Sequence, residues 1–186
     1  KLKKKFINIF HNEYFLSASN IENLSFVIEL AKKFNVKKNN LVEAVKKFKG
    51  LNYRQQIIFK NKKISIINDS KSTSYSSSIE MLKRTNNIYW LMGGIPKIGD
   101  KFNLSKNYCR NVPGYIFGVN QKKFSLDLKK KIKIKKFFNL SKALNELFND
   151  VKKDNSSNKT ILFSPAAASF DNFKNFEDRG KYFNEL

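Results

Sequence analysis

Three short runs concentrate the side chains able to do chemistry. Ile67-Asn68-Asp69-Ser70-Lys71-Ser72-Thr73-Ser74 sets a carboxylate, an ammonium and several hydroxyls directly after an apolar stretch. Gly93-Gly94, with Lys97 close behind, ends the run Tyr89-Trp90-Leu91-Met92, and Ser164-Pro165-Ala166-Ala167-Ala168-Ser169 ends Ile161-Leu162-Phe163. Asp69 could accept from a ribose hydroxyl or a metal-bound water. Lys71 and Lys97 could meet a carboxylate or phosphate, and Thr73 and Ser169 offer neutral hydroxyls. The glycine pair would let backbone approach a ligand closely, and the alanines would leave room and expose N–H groups. In an open α/β sheet, ligands bind outside the carboxyl ends of the strands, so three such endings suggest one shared, anion-friendly site. Spacing alone leaves each residue open to a plainer reading: Asp69-Ser70 as a capping loop, Lys97 as a solvated lysine, Ser169 as the cap of a final helix.

Other chemistries are excluded by motif. The chain has neither a G-x-x-x-x-G-K-[ST] loop nor a G-x-G-x-x-G fingerprint, so neither usual phosphate cradle is present. It has no Cys/His cluster for zinc and no G-x-S-x-G elbow. The single histidine, His11, lacks a metal-sharing partner and reads as a surface or turn residue. It lies far in sequence from the serine-rich loops, which argues against a Ser-His-Asp triad. Cys109 is the one cysteine, so no internal disulfide forms, in keeping with a cytoplasmic location. No run approaches the roughly 18 apolar residues of a membrane span, so no membrane insertion is expected.

The net charge of +22 invites a nucleic-acid reading. The lysines are nevertheless spread along almost the whole chain, and only Arg54, Arg84, Arg110 and Arg179 are arginines. A solvated basic surface without a specific nucleic-acid site fits that pattern better. A basic nucleic-acid-binding protein, with aromatics stacking on bases, is the less favoured alternative.

Behind these runs lie the elements that must position them. Residues 6–10 alternate like a strand, and 14–16 could form another. Leu24, Val27, Ile28 and Ala31 fall on one face of a helix over 21–34 that Asn20 would cap. A second helix over 41–48 is stopped by Gly50. Residues 57–59 and 64–67 read as a hairpin around Asn61-Lys62-Lys63. From there strands at 88–92, 115–118, 132–138 and 160–163 alternate with helices at 74–83, 122–131, 141–151 and 171–186. That alternation predicts an α/β, Rossmann-like, mostly parallel sheet covered by helices.

Several runs also carry a resemblance: Phe48-Lys49-Gly50-Leu51-Asn52-Tyr53-Arg54, Ile67 to Ser74, Gly93-Gly94-Ile95-Pro96-Lys97, and the stretch from Leu162 through Phe170-Asp171-Asn172-Phe173-Lys174-Asn175-Phe176-Glu177-Asp178-Arg179-Gly180. In order and separation this set resembles the C-terminal part of the Mur ligase family, in its D-glutamate-adding branch. The Ser-Pro-Ala-x-Ala-Ser-x-Asp-x-Phe-Lys-Asn-Phe-Glu-x-Arg-Gly run is its most specific segment. The resemblance implies that residues 1–47 are the tail of a truncated central ATPase domain and 48–186 the C-terminal domain that closes over ATP and the amino acid. It implies a ligase of peptidoglycan precursor synthesis, working as a monomer in the cytoplasm. The reaction would activate UDP-N-acetylmuramoyl-L-alanine as an acyl phosphate, using ATP and magnesium, for attack by the amine of D-glutamate.

Position by position, the resemblance matches Asn20, Asn23, Arg54 and Asp69 to ATP-binding residues. It matches Lys71, Thr73, Lys97, Ser169, Phe170 and the backbone at Phe176 to the D-glutamate site. The P-loop, the carboxylated lysine and the magnesium ligands of the family match nothing in these 186 residues. This chain alone is therefore expected to be inactive; a non-catalytic module binding nucleotide and amino acid is the alternative. Tyr53 stands where the family usually has His, Ser72 and Ser74 replace Ala and Asn, Ala167 replaces Cys, and Ser19 replaces the His before Asn20.

Overall fold

Apolar runs that stop at polar residues, four of the six followed by a helix, fold here as a largely βαβ series. The computed structural model describes residues 12–109 and 111–186. The expected strand over 6–10 and His11 lie outside these. The chain divides into two compact units, Lys1–Gly50 and Leu51–Leu186.

In the first unit, Glu13–Leu16 is a 3-10 turn, not a strand. The Asn12 side chain stops extension there: it accepts from the Tyr14 N–H and donates to the carbonyls of Val45 and Phe48. Helix α1 (Ala18–Lys33) starts earlier than expected because Ser17, not Asn20, caps it. The Ser17 hydroxyl accepts from the Asn20 N–H at 3.0 Å, placing Asn20 inside the first turn. Helix α2 (Lys38–Lys47) gives way to extended backbone at Phe48, ahead of Gly50. Leu24 and Ile28 of α1 bury against Val45 of α2. Val27, expected inward, is half exposed, because only the Leu24–Ile28 stripe meets α2.

The second unit holds one six-stranded sheet. In sequence order its elements are β1 (Gln56–Lys60), β2 (Ile64–Asn68), α3 (Tyr75–Arg84), β3 (Ile88–Gly93), β4 (Pro113–Phe117), α4 (Gln121–Leu128), β5 (Lys133–Phe137), α5 (Leu140–Lys153), β6 (Lys159–Phe163) and α6 (Phe176–Glu185). The spatial order is β1-β2-β6-β3-β4-β5. Strand β1 pairs antiparallel with β2 as the expected hairpin, and all other pairings are parallel. The α/β, mostly parallel architecture expected from the sequence is the one observed.

Strand alternation divides the core between the two faces. Trp90, Met92, Ile116 and Leu162 pack with Tyr75, Met81 and Leu82 of α3 and Phe124 and Leu128 of α4. Their neighbours Tyr89, Leu91, Tyr115, Ile161 and Phe163 pack with Leu144 and Leu147 of α5 and Phe183 of α6. Each such fully buried side chain contributes roughly 1.5–3 kcal/mol. The last strand in sequence, β6, thus inserts between β2 and β3. Parallel pairing then puts the carboxyl ends of all three on one edge of the sheet, side by side.

Candidate functional site

Three loops leave that edge, and backbone hydrogen bonds lock them together. Asp69 N–H donates to Phe163 O at 2.7 Å, Ser164 N–H to Leu91 O at 3.2 Å, and Gly93 N–H to Pro165 O at 3.2 Å. Beyond the strands, Ile95 and Ala168 exchange both backbone hydrogen bonds, at 2.8 and 3.0 Å. The segments carrying Lys97 and Ser169 are joined by that bridge.

The Thr73 turn is tied to the same edge through Asp100. Its carboxylate accepts from the Tyr75 N–H at 2.5 Å, and its own N–H donates to Lys97 O at 3.3 Å. Ser74 caps α3 in a reciprocal box with Ser77. Thr73 and Lys97 are exposed, Ser169 is buried and Phe170 is exposed. The Lys71 ammonium lies 3.8 Å from the centre of the Phe176 ring, a cation–π contact at the start of α6. Lys71, Thr73, Lys97, Ser169, Phe170 and Phe176 therefore all lie on loops or a helix start at this one edge.

Arg179 holds the edge from beneath. Fully buried on α6, its guanidinium donates to Ser70 Oγ at 3.1 Å, Ser70 O at 2.7 Å and Gly93 O at 3.3 Å. Ser70 in turn donates to Phe176 O at 2.8 Å. Burial lowers the Arg179 pKa to about 10, with Asp171 opposing, so the group stays cationic at neutral pH. Three oriented acceptors replace its lost hydration. Sequence reasoning assigned Arg179 no role; its place as one of only four arginines among many lysines was the available signal.

Asp69 turns inward. Its side chain is 5% exposed; Oδ1 accepts from the Gln55 N–H at 3.1 Å and Oδ2 from the Ser164 hydroxyl at 3.0 Å. Burial pushes its carboxyl up to about 7, against the pull of the Ser164 and Gln55 hydrogen bonds and the Arg54 charge. Arg54 is exposed on the loop before β1. Tyr53 and Gln55 on either side of it adopt positive φ, 61° and 49°. Tyr53 O accepts from the Lys71 N–H at 2.9 Å, and its ring lies against Gly180, where a Cβ would meet it at 2.4 Å. That packing is why a glycine sits inside α6.

Three expectations change. The glycine pair opens no gap for a ligand: a Cβ at Gly93 would meet Phe117 O at 2.4 Å and one at Gly94 Ala168 O at 2.2 Å. The protein's own backbone makes the close approach. Ala166 and Ala167 are fully buried and fill space rather than leaving it. Ser169 does not cap the last helix; Asn175 does, accepting from the Asp178 N–H at 2.7 Å.

Of the residues matched to ATP, Arg54 and Asp69 share this edge, while Asn20 and Asn23 belong to the other unit. Asn20 is buried, its amide donating to Tyr14 O at 2.7 Å, and Asn23 is exposed. The outward-facing set of Arg54, Lys97 and Thr73 carries cations and a hydroxyl, a donor set that fits an anion such as a phosphate or carboxylate. Among the described residues no three His, Cys, Asp or Glu side chains come together to hold a metal ion.

Solved Mur ligases contain a part with this fold. The structures of MurF from Acinetobacter baumannii (TM-score 0.66, 15% identity) and of the UDP-N-acetylmuramate–alanine ligase of Thermotoga maritima (TM-score 0.61, 19% identity) each cover 91% of this chain. The match takes in 38% and 37% of those chains. The chain is a homologue of the Mur ligases. Its sequence is 33% identical over 175 residues to the UDP-N-acetylmuramoylalanine–D-glutamate ligase of Rickettsia felis, covering 94% of this chain and 39% of that one. It is 34% identical over 165 residues to the ligase of that name from Wolbachia pipientis, covering 89% and 32%. The chain thus spans less than two-fifths of the length of these relatives. No family model matches it.

Proposed function

We propose that this chain is the C-terminal part of a D-glutamate-adding Mur ligase and that the β2-β6-β3 edge holds D-glutamate. The observation that carries this reading is the convergence of Thr73, Lys97, Ser169 and Phe176 on one edge, in a chain homologous to ligases named for D-glutamate. Lys97 and Thr73, on loops joined through Asp100, present a cation and a hydroxyl to one carboxylate. Ser169 and the backbone at Phe176 receive the other. Lys71, held over the Phe176 ring, adds positive potential. Their task is to orient the amine toward an acceptor; such donors help only when fixed beforehand.

ATP, when bound, would supply the phosphoryl group that activates the acceptor carboxylate. Arg54, exposed on the loop before β1, would meet its phosphates, whereas Asp69, buried with both carboxyl oxygens already accepting from Gln55 and Ser164, is not available to the ribose in this arrangement. In this reading residues 1–47 are the end of the ATPase domain, the other substrate is UDP-N-acetylmuramoyl-L-alanine, and the work is done in the cytoplasm by a monomer. The basic surface serves solubility and carries no specific nucleic-acid site.

Calorimetric titration of the chain with each glutamate enantiomer tests the assignment. D-glutamate is expected to bind and L-glutamate not. Lys97→Ala removes a charge-assisted hydrogen bond of roughly 1.5–3 kcal/mol, weakening binding about tenfold or more. Equal responses to the two enantiomers would overturn the reading.

A further inference from the structure

A row of buried hydroxyls runs from Asp69 to the Thr73 turn. Ser164 Oγ lies 3.0 Å from Asp69 Oδ2 and 2.8 Å from Ser78 Oγ. Ser78 Oγ lies 2.8 Å from Ser72 Oγ, which lies 2.9 Å from Ser77 Oγ. Ser77 Oγ reaches Ser74 Oγ at 3.0 Å, and Ser74 reaches Ser76 at 2.9 Å. Ser164 and Ser78 are fully buried and Ser72 is 2% exposed. The row thus crosses from the loop after β6, through α3, to the turn before it.

We propose that Ser164, Ser78 and Ser72 form a directed hydroxyl relay that couples the Asp69 carboxyl to the 72–77 turn. It makes these three serines positioning residues for both halves of the site, a role that rests on the function proposed above; the coupling itself does not. Each serine has a single O–H to donate. Gln55 N–H fixes Asp69 Oδ1 as an acceptor, so any proton on this carboxyl sits on Oδ2, the oxygen facing Ser164. Ser78 and Ser72 also have backbone acceptors within reach, Ser164 O at 3.3 Å and Ser74 O at 3.5 Å, both longer than the 2.8 Å hydroxyl contacts that join the row. With Asp69 ionised, Ser164 donates to it, Ser78 to Ser164 and Ser72 to Ser78. Ser72 then has no hydrogen left for the turn and accepts from Ser77.

With Asp69 protonated, every donor reverses. Ser72 then donates into the turn, toward Ser77, whose hydrogen goes to Ser74 O, 2.9 Å away. The hydrogen-bonding pattern of the α3 cap therefore depends on a carboxyl on another loop. Buried chains of this kind polarise one another and act as a unit. The charged groups around Asp69 are Arg54 before β1, Glu80 and Arg84 on α3, and Arg179 on α6. Arg54 favours ionisation and Glu80 opposes it. Arg84 donates to the Gln55 side chain, and Arg179 to Ser70.

Carbon-13 NMR of the Asp69 carboxyl, recorded with amide shifts of residues 73–77 across pH 4–9, tests the relay in the intact chain. The carboxyl and the turn amides are expected to share one midpoint near 7. Ser72→Ala should leave the carboxyl titrating and remove that inflection from the turn, and Ser72→Thr should restore it. Ser78→Ala should act as Ser72→Ala does, and Asp69→Asn should abolish the inflection everywhere. A turn that keeps the inflection in Ser72→Ala or Asp69→Asn, or shows none in the parent chain, overturns the relay. Failure of D-glutamate to bind would leave the relay intact and remove only its assignment to that site.

Discussion

The carboxyl of Asp69 gives the site a pH dependence whose sign is fixed. Its folded value near 7 exceeds the unfolded 3.8, so the native state holds this proton more tightly than the unfolded chain. Stability from this group is fully present below about 3.8 and is lost as pH rises toward 7. Asp69→Asn keeps the Oδ1 acceptor and can donate to Ser164. Urea midpoints across pH 4–8 should show that the variant lacks this fall and gains on the parent above neutrality. A parallel pair of curves would mean that Asp69 is not the group burial has shifted. That Asp69 mattered was legible in its loop; that it faces inward was not, because its partners Gln55 and Ser164 come from two other segments of the chain.

At the level of elements, the edge works because three loops fit without gaps. Gly94, at φ 129° and with Ala168 O at its back, is the point of tightest fit. Gly94→Ala should cost roughly 1–3 kcal/mol by overpacking alone, read as a lower urea midpoint with unchanged slope, together with lost amide protection at Ile95 and Ala168. An unchanged midpoint would contradict the packing described. The strand and helix periods of residues 56–163 were plain in the sequence, since two core faces demand alternation. Helix starts were less so: Ser17 and Asn175 displaced the expected caps because local side-chain to backbone bonds decide them. The seating of β6 between β2 and β3 had no local signal. It depends on pairing across the whole sheet, yet it makes three sequence-distant loops into one site.

For the whole molecule, homology over nearly the full chain coexists with coverage of under two-fifths of the relatives' length. The family's P-loop matches none of these residues, so the 186-residue chain should release no phosphate from ATP when given D-glutamate and UDP-N-acetylmuramoyl-L-alanine. D-glutamate-dependent release, followed by a coupled phosphate assay, would contradict that. The central claim is that the β2-β6-β3 edge is the D-glutamate site, and amide NMR of the labelled chain titrated with each enantiomer tests it most directly. Saturable shifts at Thr73, Lys97, Ser169 and Phe176 with D-glutamate, absent with L-glutamate and lost in Lys97→Ala, are the predicted result. Shifts that fall elsewhere, or that both enantiomers produce alike, would contradict it.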